Sequence, residues 1–251
     1  MMFRRLILRA TAAIAIAPAI LHAQGKQIAV QWLGHAAFEI VSPGGAHILI
    51  DPFLTGNPAT PDSLKKLARY KPNAILVSHS HSDHAADAKA IATASGAQVI
   101  SAYEWVNTLG LPEKQQGGGN VGGTFKVMDV TVHLVPAMHS SDPGGRPLGF
   151  VLEFADGRTL YHTGDTWLFG DMALIQEMYH PNIILLNVGG GPYTQGPVEA
   201  RKEVQKYFKP SVIVPMHFNT FPGLATVPQV EAAFKGDGRL KVMAPGEKRL
   251  F

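Results

Sequence analysis

The chain contains no cysteine. Disulfides, thiol nucleophiles and thiolate metal sites are therefore excluded, and any metal must be held by nitrogen and oxygen. Charge is scarce as well: Asp, Glu, Lys and Arg make up 16% of the residues, and no long Lys/Arg run follows Gln24. The formal net charge of +3 is matched by Arg4, Arg5 and Arg9, in a stretch without an acid, so the chain from Gln24 onward is formally neutral. A nucleic-acid-binding domain needs a retained basic face, and nucleic acid is not an expected partner. Long apolar runs are also missing. The segment Ala10 to Ala23 has 14 residues, where a membrane-spanning helix needs about 20. It follows the basic "MMFRRLILR" and ends in "LHA", the layout of an export signal cleaved after Ala23. Residues 1–23 are thus expected to be removed, by the general secretory route or, on "RRLIL", the twin-arginine route. Residues 24–251 would remain as one domain, free of the membrane, in the periplasm.

Hydrophobic residues make up 46% of the chain, enough for a large core, and its 26 glycines and 18 prolines favour a loop-rich α/β protein over a helical bundle. Apolar, β-branched runs recur: "IAVQWL", "HILI", "AILVS", "AQVIS", "DVTVHLVPA", "GFVLEF", "TLYH", "NIILLNV" and "SVIVPM". Helical patterns lie between several of them, at Ala85 to Ser95, Leu168 to Met178 and Pro197 to Phe208. The last has proline in its first turn, where a missing N–H costs nothing. Early strands follow as hairpins and later ones alternate with helices, which predicts a layered protein with sheets inside and helices outside. The glycine-rich stretch Gly110 to Gly123 reads as a surface connection or as an active-site flap.

Histidine is concentrated at strand ends. His79, His81 and His84, with Asp83, follow "AILVS"; His139 follows "TVHLVPAM"; Asp165 follows "TLYHTG"; His217 follows "SVIVPM". Ligands in open α/β sheets bind beyond the carboxyl ends of strands. In "VPAMH" and "VPMH", proline is expected to stop ladder pairing just before the histidine. A single histidine is more often a surface or satisfied core residue, and that reading is kept for His22, His47, His133 and His180. It does not explain metal-capable groups at four strand ends. Alternate residues of an extended segment point the same way, so His79 and His81 can grip one ion, while Asp83 and His84, past the turn, can face a second. Neutral imidazole suits zinc, and Mn, Ni, Co or Fe would also be accepted.

"HSHSDH" matches the HxHxDH motif of the metallo-β-lactamase superfamily. The stretches "WLGHAAFEI", "IDPFLTGNP", "VPAMHSSD", "YHTGDTWLFGDM" and "PMHFNTFP" resemble its metal-dependent hydrolase branch, which is similar to the sugar-acid phosphate lactonases. The resemblance runs from about Ile28 to Phe221. It implies an αββα sandwich of two mixed β-sheets flanked by helices, with a two-metal site between the sheets. His79, His81 and His139 would hold the first metal; Asp83, His84 and His217 the second; Asp165 would bridge both. The redox branch carries glutamate where this chain has His81, which favours hydrolysis. Cysteine, a second-site ligand in several true β-lactamases, is absent.

Two such metals lower the pKa of a shared water and polarise the bond under attack. The expected activity is hydrolysis, by metal-bound hydroxide, of a small ester, lactone or related molecule, anionic near the scissile bond if the glycines of "VGGGPYTQGP" cradle it, with Asp83 also orienting the nucleophile. Alternatives are a phosphodiesterase of the same fold and a non-catalytic periplasmic metal-binding protein. His35, Asp51 and His162 are candidates to orient ligands, with turn, cap and strand-filler readings beside them. Asp165 alternatively caps a helix starting near Trp167. Gly190, in "VGGGPYTQGP", cradles a substrate anion on free N–H groups or serves a tight turn; Asn219 is a further candidate substrate contact. The oligomeric state is left open.

Overall fold

A computed structural model describes residues 27–251; the expected export segment, residues 1–23, lies outside the described residues. In chain order the elements are β1 (Ala29–Gly34), β2 (Ala37–Val41), β3 (His47–Ile50), β4 (Ala74–Leu76), α1 (Ser82–Ala85), α2 (Ala88–Ser95), β5 (Gln98–Ala102), α3 (Tyr103–Val106) and β6 (Gln116–Gly119). There follow β7 (Thr124–Val127), β8 (Val130–Pro136), β9 (Leu148–Phe154), β10 (Thr159–His162), α4 (Met172–Tyr179), β11 (Ile183–Asn187), α5 (Pro197–Tyr207), β12 (Val212–Met216), α6 (Val227–Ala233) and β13 (Lys248–Leu250).

The strands form two mixed sheets, ordered β13-β1-β2-β3-β4-β5-β6 and β12-β11-β10-β9-β8-β7. Each sheet changes from antiparallel to parallel pairing, at β3–β4 in the first and at β10–β11 in the second. Side-chain alternation divides the apolar residues between layers. Ile48, Ile50, Ala74 and Leu76 face the core shared with the second sheet, which includes Phe150, Leu160 and Ile184. Leu49 and Ile75 face outward, where α2 covers them with Ile91 and Ala92. On the other side α4 and α5 contribute Ile175 and Val204. β4 and β11 are buried along their whole length and read as continuous apolar runs, whereas β8 turns Thr131 and His133 outward between buried valines and Leu134.

All nine runs expected as strands are strands; β2, β6, β7 and β13 were not expected. The pattern Ala85 to Ser95 is split into α1 and α2. Asp87 accounts for the break: its carboxylate accepts hydrogen bonds from Leu54 N, Thr55 N and Thr55 Oγ1 at 2.7–2.9 Å, tying the chain back to the loop after β3. The second helix starts at Met172, four residues later than its pattern suggests. Proline 197 stands in the first turn of α5 as expected. Proline 215 does not stop pairing, because β12 continues to Met216 with Leu186 opposite Pro215. Ile213, two residues earlier, donates away from β11 to Arg239 O, so the proline nitrogen also faces away from β11, where no ladder bond is lost. Part of the Gly110 to Gly123 stretch is the edge strand β6. A Cβ on Gly119 would lie 2.6 Å from Leu134 Cδ1, so glycine serves close packing there.

Candidate metal centre

The predicted residues come from different elements but meet beyond the carboxyl ends of β3, β4, β10 and β12. His79 and His81 follow β4, His81 in extended conformation immediately before α1. Nε2 of His79 stands 2.9 Å from Nδ1 of His81, and His139, after β8, brings its ring within 5.0 Å of the first and 5.2 Å of the second. Ser80 points elsewhere, its hydroxyl 3.0 Å from that of Ser141. Asp165 Oδ2 lies 3.0 Å from His217 Nε2, 3.4 Å from His84 Nε2 and 3.7 Å from His139 Nε2. The helix after it starts at Met172, so Asp165 is not a helix cap.

Behind these atoms stands a hydrogen-bonded support. Asp51 Oδ2 lies 2.8 Å from His84 Nδ1 and also accepts from the Ser78 hydroxyl, while Asp51 Oδ1 accepts from Ser78 N. Asp51 takes the Nδ1 side of the His84 ring, so Nε2 is the nitrogen turned toward Asp165. His35 Nε2 is 3.2 Å from Asp83 Oδ2, and the His35 carbonyl accepts from His217 N and Trp32 Nε1. His162 donates from Nε2 to Ala36 O and accepts from Gly164 N at Nδ1, which fixes the turn leading to Asp165. Asn187, at the end of β11, donates to Asp165 Oδ1 at 2.6 Å and accepts from Thr194 Oγ1 at 2.8 Å. Neither Asn187 nor Ser78 was singled out from the sequence. A readable signal exists for Asn187: it is the one polar residue in the buried strand "IILLN".

Strain and close approach are concentrated here. His35, Asp51, His217 and Asn219 have φ between 44° and 62°, a region that costs a non-glycine residue about 1–3 kcal/mol and persists only when its surroundings enforce it. The loop after β11 lies directly on His217: a Cβ on Gly189 would fall 2.5 Å from His217 Nδ1 and 2.6 Å from its carbonyl oxygen. Gly190 does not act as a free anion cradle. Its N–H donates to Gln195 O, the following helix begins with a proline, and Glu199 Oε2 stands 3.1 Å from the position of a Gly196 Cβ. Gly190 and Asn219 line cavities separate from the one that the histidines open into. His47, His133 and His180 lie apart from the cluster, His133 near Glu153 and His180 ending α4.

The electrostatics divide the imidazoles into two kinds. Burial, reinforced by neighbouring His84, holds His79 well below its ordinary pKa; burial also lowers His139. Burial and the adjacent His217 lower His35 to about 4. These rings are neutral near pH 7, the form that ligates metals. Burial works against charge on His84 and His217 too, but Asp165 outweighs it and raises both. Asp165 and Asp51 stay ionised despite burial, held down by His217 and His84 respectively, and the neighbouring His217 and His35 overcome burial at Asp83. Buried carboxylates of this kind call for positive charge. His35 Nδ1, His84 Nε2 and both ring nitrogens of His217 are buried and lack a partner in good hydrogen-bond geometry, although Asp165 Oδ2 stands 3.4 Å from His84 Nε2 and 3.0 Å from His217 Nε2. One ligand atom from each of His79, His81 and His139 can be chosen within 4.8 Å of the others, and the same holds for His35, Asp83, His84 and His217. Unsatisfied nitrogens, neutral imidazoles and ionised carboxylates around one space fit divalent cations.

A Beta-lactamase superfamily domain model matches residues 29–217. A UPF0173 metal-dependent hydrolase of Myxococcus xanthus is 48% identical over 209 residues, 79% of this chain and 73% of the relative. The chain belongs to the UPF0173 metal-dependent hydrolase family of the beta-lactamase superfamily. A second UPF0173 protein, from Anaeromyxobacter sp. strain K, is 41% identical over 245 residues, 91% of this chain and 88% of the relative. Among solved structures, Igni18, a metallo hydrolase from the archaeon Ignicoccus hospitalis, superposes with a TM-score of 0.79 at 36% identity, covering 90% of this chain and 98% of the other. The two mixed sheets with flanking helices are thus the metallo-β-lactamase fold, and this UPF0173 chain is a metal-dependent hydrolase. No helix among the described residues is long and apolar enough to cross a membrane.

Proposed function

We propose that this UPF0173 hydrolase cleaves a small ester or lactone with two divalent ions. His79, His81 and His139 hold one, Asp83, His84 and His217 the other, and Asp165 is shared. The observation that carries this reading is the placement of Asp165 Oδ2 within 3.7 Å of imidazoles from three different chain segments. Such ions supply Lewis acidity and an acidified water, and zinc suits a donor set of neutral imidazole and carboxylate, with Mn, Ni, Co and Fe as substitutes.

The chain's own residues prepare that chemistry. Asp51 and Ser78 fix the rings of His84 and His79 from behind, and Asn187 orients Asp165 through Oδ1. Asp83, ionised and with its side chain 34% exposed, is the carboxylate that faces both the cavity and His35; it orients the attacking water and takes up hydrogen bonds from it. The partner is a small molecule, because the cavity at the cluster has a volume of about 380 Å³, at the lower end for ligand pockets. Export through residues 1–23 belongs to the same reading, and the intact mass of the protein recovered from cells tests it.

The deciding experiment is a screen of metal-reconstituted protein against lactones, esters, phosphodiesters and amides. Turnover of esters or lactones is expected. Turnover confined to phosphodiesters would replace the substrate class, and full metallation without turnover of any member would favour a binding protein.

A further inference from the structure

The cavity beside the histidines has two unlike walls. One is the cluster itself, with His35, Asp83, His139, Asp165 and His217; the other is Pro192, Tyr193, Phe221, Pro222 and Leu224. No lysine or arginine lines it among the described residues. Tyr193 is 62% exposed and Phe221 37% exposed. Large apolar side chains left open to solvent in a concavity mark a ligand surface.

This wall is fixed in place. Phe221 sets its ring edge-on to His35 at 5.4 Å and stacks on Phe53 at 6.2 Å. Its loop, after β12, is tied to the loop after β11 by Ala225 N donating to Gly189 O, and is closed on itself by Asn219 N donating to Ala225 O. The nearby helix start that would otherwise receive an anion already has Glu199 in its first turn. A negative charge carried on the substrate away from the cluster would therefore find no protein cation, and it would desolvate against rings and prolines at a cost.

We propose that the Tyr193–Phe221 wall is a specificity pocket for an uncharged aromatic or branched apolar substituent next to the scissile bond. The substrate is thus a neutral apolar ester or lactone, in contrast to a phosphorylated or carboxylated one. This rests on the hydrolase reading above and narrows its substrate.

The test compares methyl phenylacetate, methyl acetate and the para-carboxylated phenylacetate ester with metal-loaded wild type, Phe221→Ala and Tyr193→Ala. Calorimetric titration with phenylacetamide, which need not turn over, runs in parallel. For wild type, kcat/KM should be highest for methyl phenylacetate and fall for the carboxylated ester. Phe221→Ala should lower the ratio of methyl phenylacetate to methyl acetate about 10-fold, mainly through KM, and Tyr193→Ala should lower it less. Both variants should weaken phenylacetamide binding. Preference for the carboxylated ester, or phenylacetamide affinity unchanged in both variants, overturns the pocket. Absence of ester turnover together with variant-sensitive phenylacetamide binding leaves the pocket standing and removes the ester-hydrolase reading.

Discussion

The donor cluster has two arms built on opposite principles. His79, His81 and His139 form an arm without a carboxylate: two of the three rings are only half-buried, and His79 and His139 are held neutral by burial. The arm around His84 and His217 is buried and carries Asp165, Asp83 and, behind it, Asp51, all ionised. It also holds the orphaned nitrogens and three of the four strained backbones, at His35, Asp51 and His217. One arm offers lone pairs to a cation. The other holds negative charge in a medium of low dielectric, where losing a partner exposes an uncompensated charge.

Truncating one histidine from each arm should break the symmetry most visibly. His84→Ala is expected to lose one of the two ions and also to destabilise the fold by about 3–5 kcal/mol, because Asp51 and Asp165 lose their common partner. His139→Ala should likewise lose one ion but with a much smaller change in stability. Elemental analysis and denaturant unfolding on the pair check this, and equal stability losses would contradict the contrast between the arms.

A gentler change sharpens the same point. Asp51→Asn keeps the shape but places an amide where His84 Nδ1 and the Ser78 hydroxyl now meet carboxylate oxygen. Metal affinity or turnover should drop about 10–100-fold, read by competition with a chelator. Unchanged affinity would reduce Asp51 to a turn residue.

The smallest effect lies outside both arms. Glu203 on α5 is buried, accepts from Gln195 Nε2, and is pushed up to about 8 by that burial. A carboxyl raised in the folded state binds its proton there after the unfolded chain has released it. Stability is therefore greatest at low pH on this account and declines as pH rises from about 4.5 to about 8. Glu203→Gln should flatten that dependence, with melting temperature against pH as the readout; an identical profile in the variant would remove Glu203 from the account.

The arm without a carboxylate was the more legible one. HxH spacing in an extended segment needs only the two-residue alternation of side chains, and β4 delivers it. The charged arm depends on facts that no short motif encodes. Asp51 and His84 are 33 residues apart and meet only because β3 and β4 pair in parallel. Asn187 looked like the end of an apolar run until β11 placed it beside β10 and Asp165. The glycines were ambiguous in the sequence: Gly110 to Gly123, read as a surface connection or a flap, includes a tightly packed edge strand, and Gly190, read as an anion cradle or a tight turn, commits its N–H to Gln195 O. Composition cannot tell close packing from mobility, because both demand a missing side chain. Phe221 escaped notice as a wall residue for a related reason, since its exposure follows from the loop after β12 and not from its neighbours in sequence.

What joins the arms is Asp165. Asp165→Asn retains the shape, the contact with Asn187 and the backbone held by His162, but it loses the charge that raises His84 and His217. Metal content per folded chain, measured alongside turnover, is the direct test. The expected variant is folded, with fewer than two ions per chain and hydrolysis lowered by at least the 10–100-fold of disturbed metal sites. A variant that retains two ions and wild-type turnover would contradict a shared carboxylate at the centre of the site.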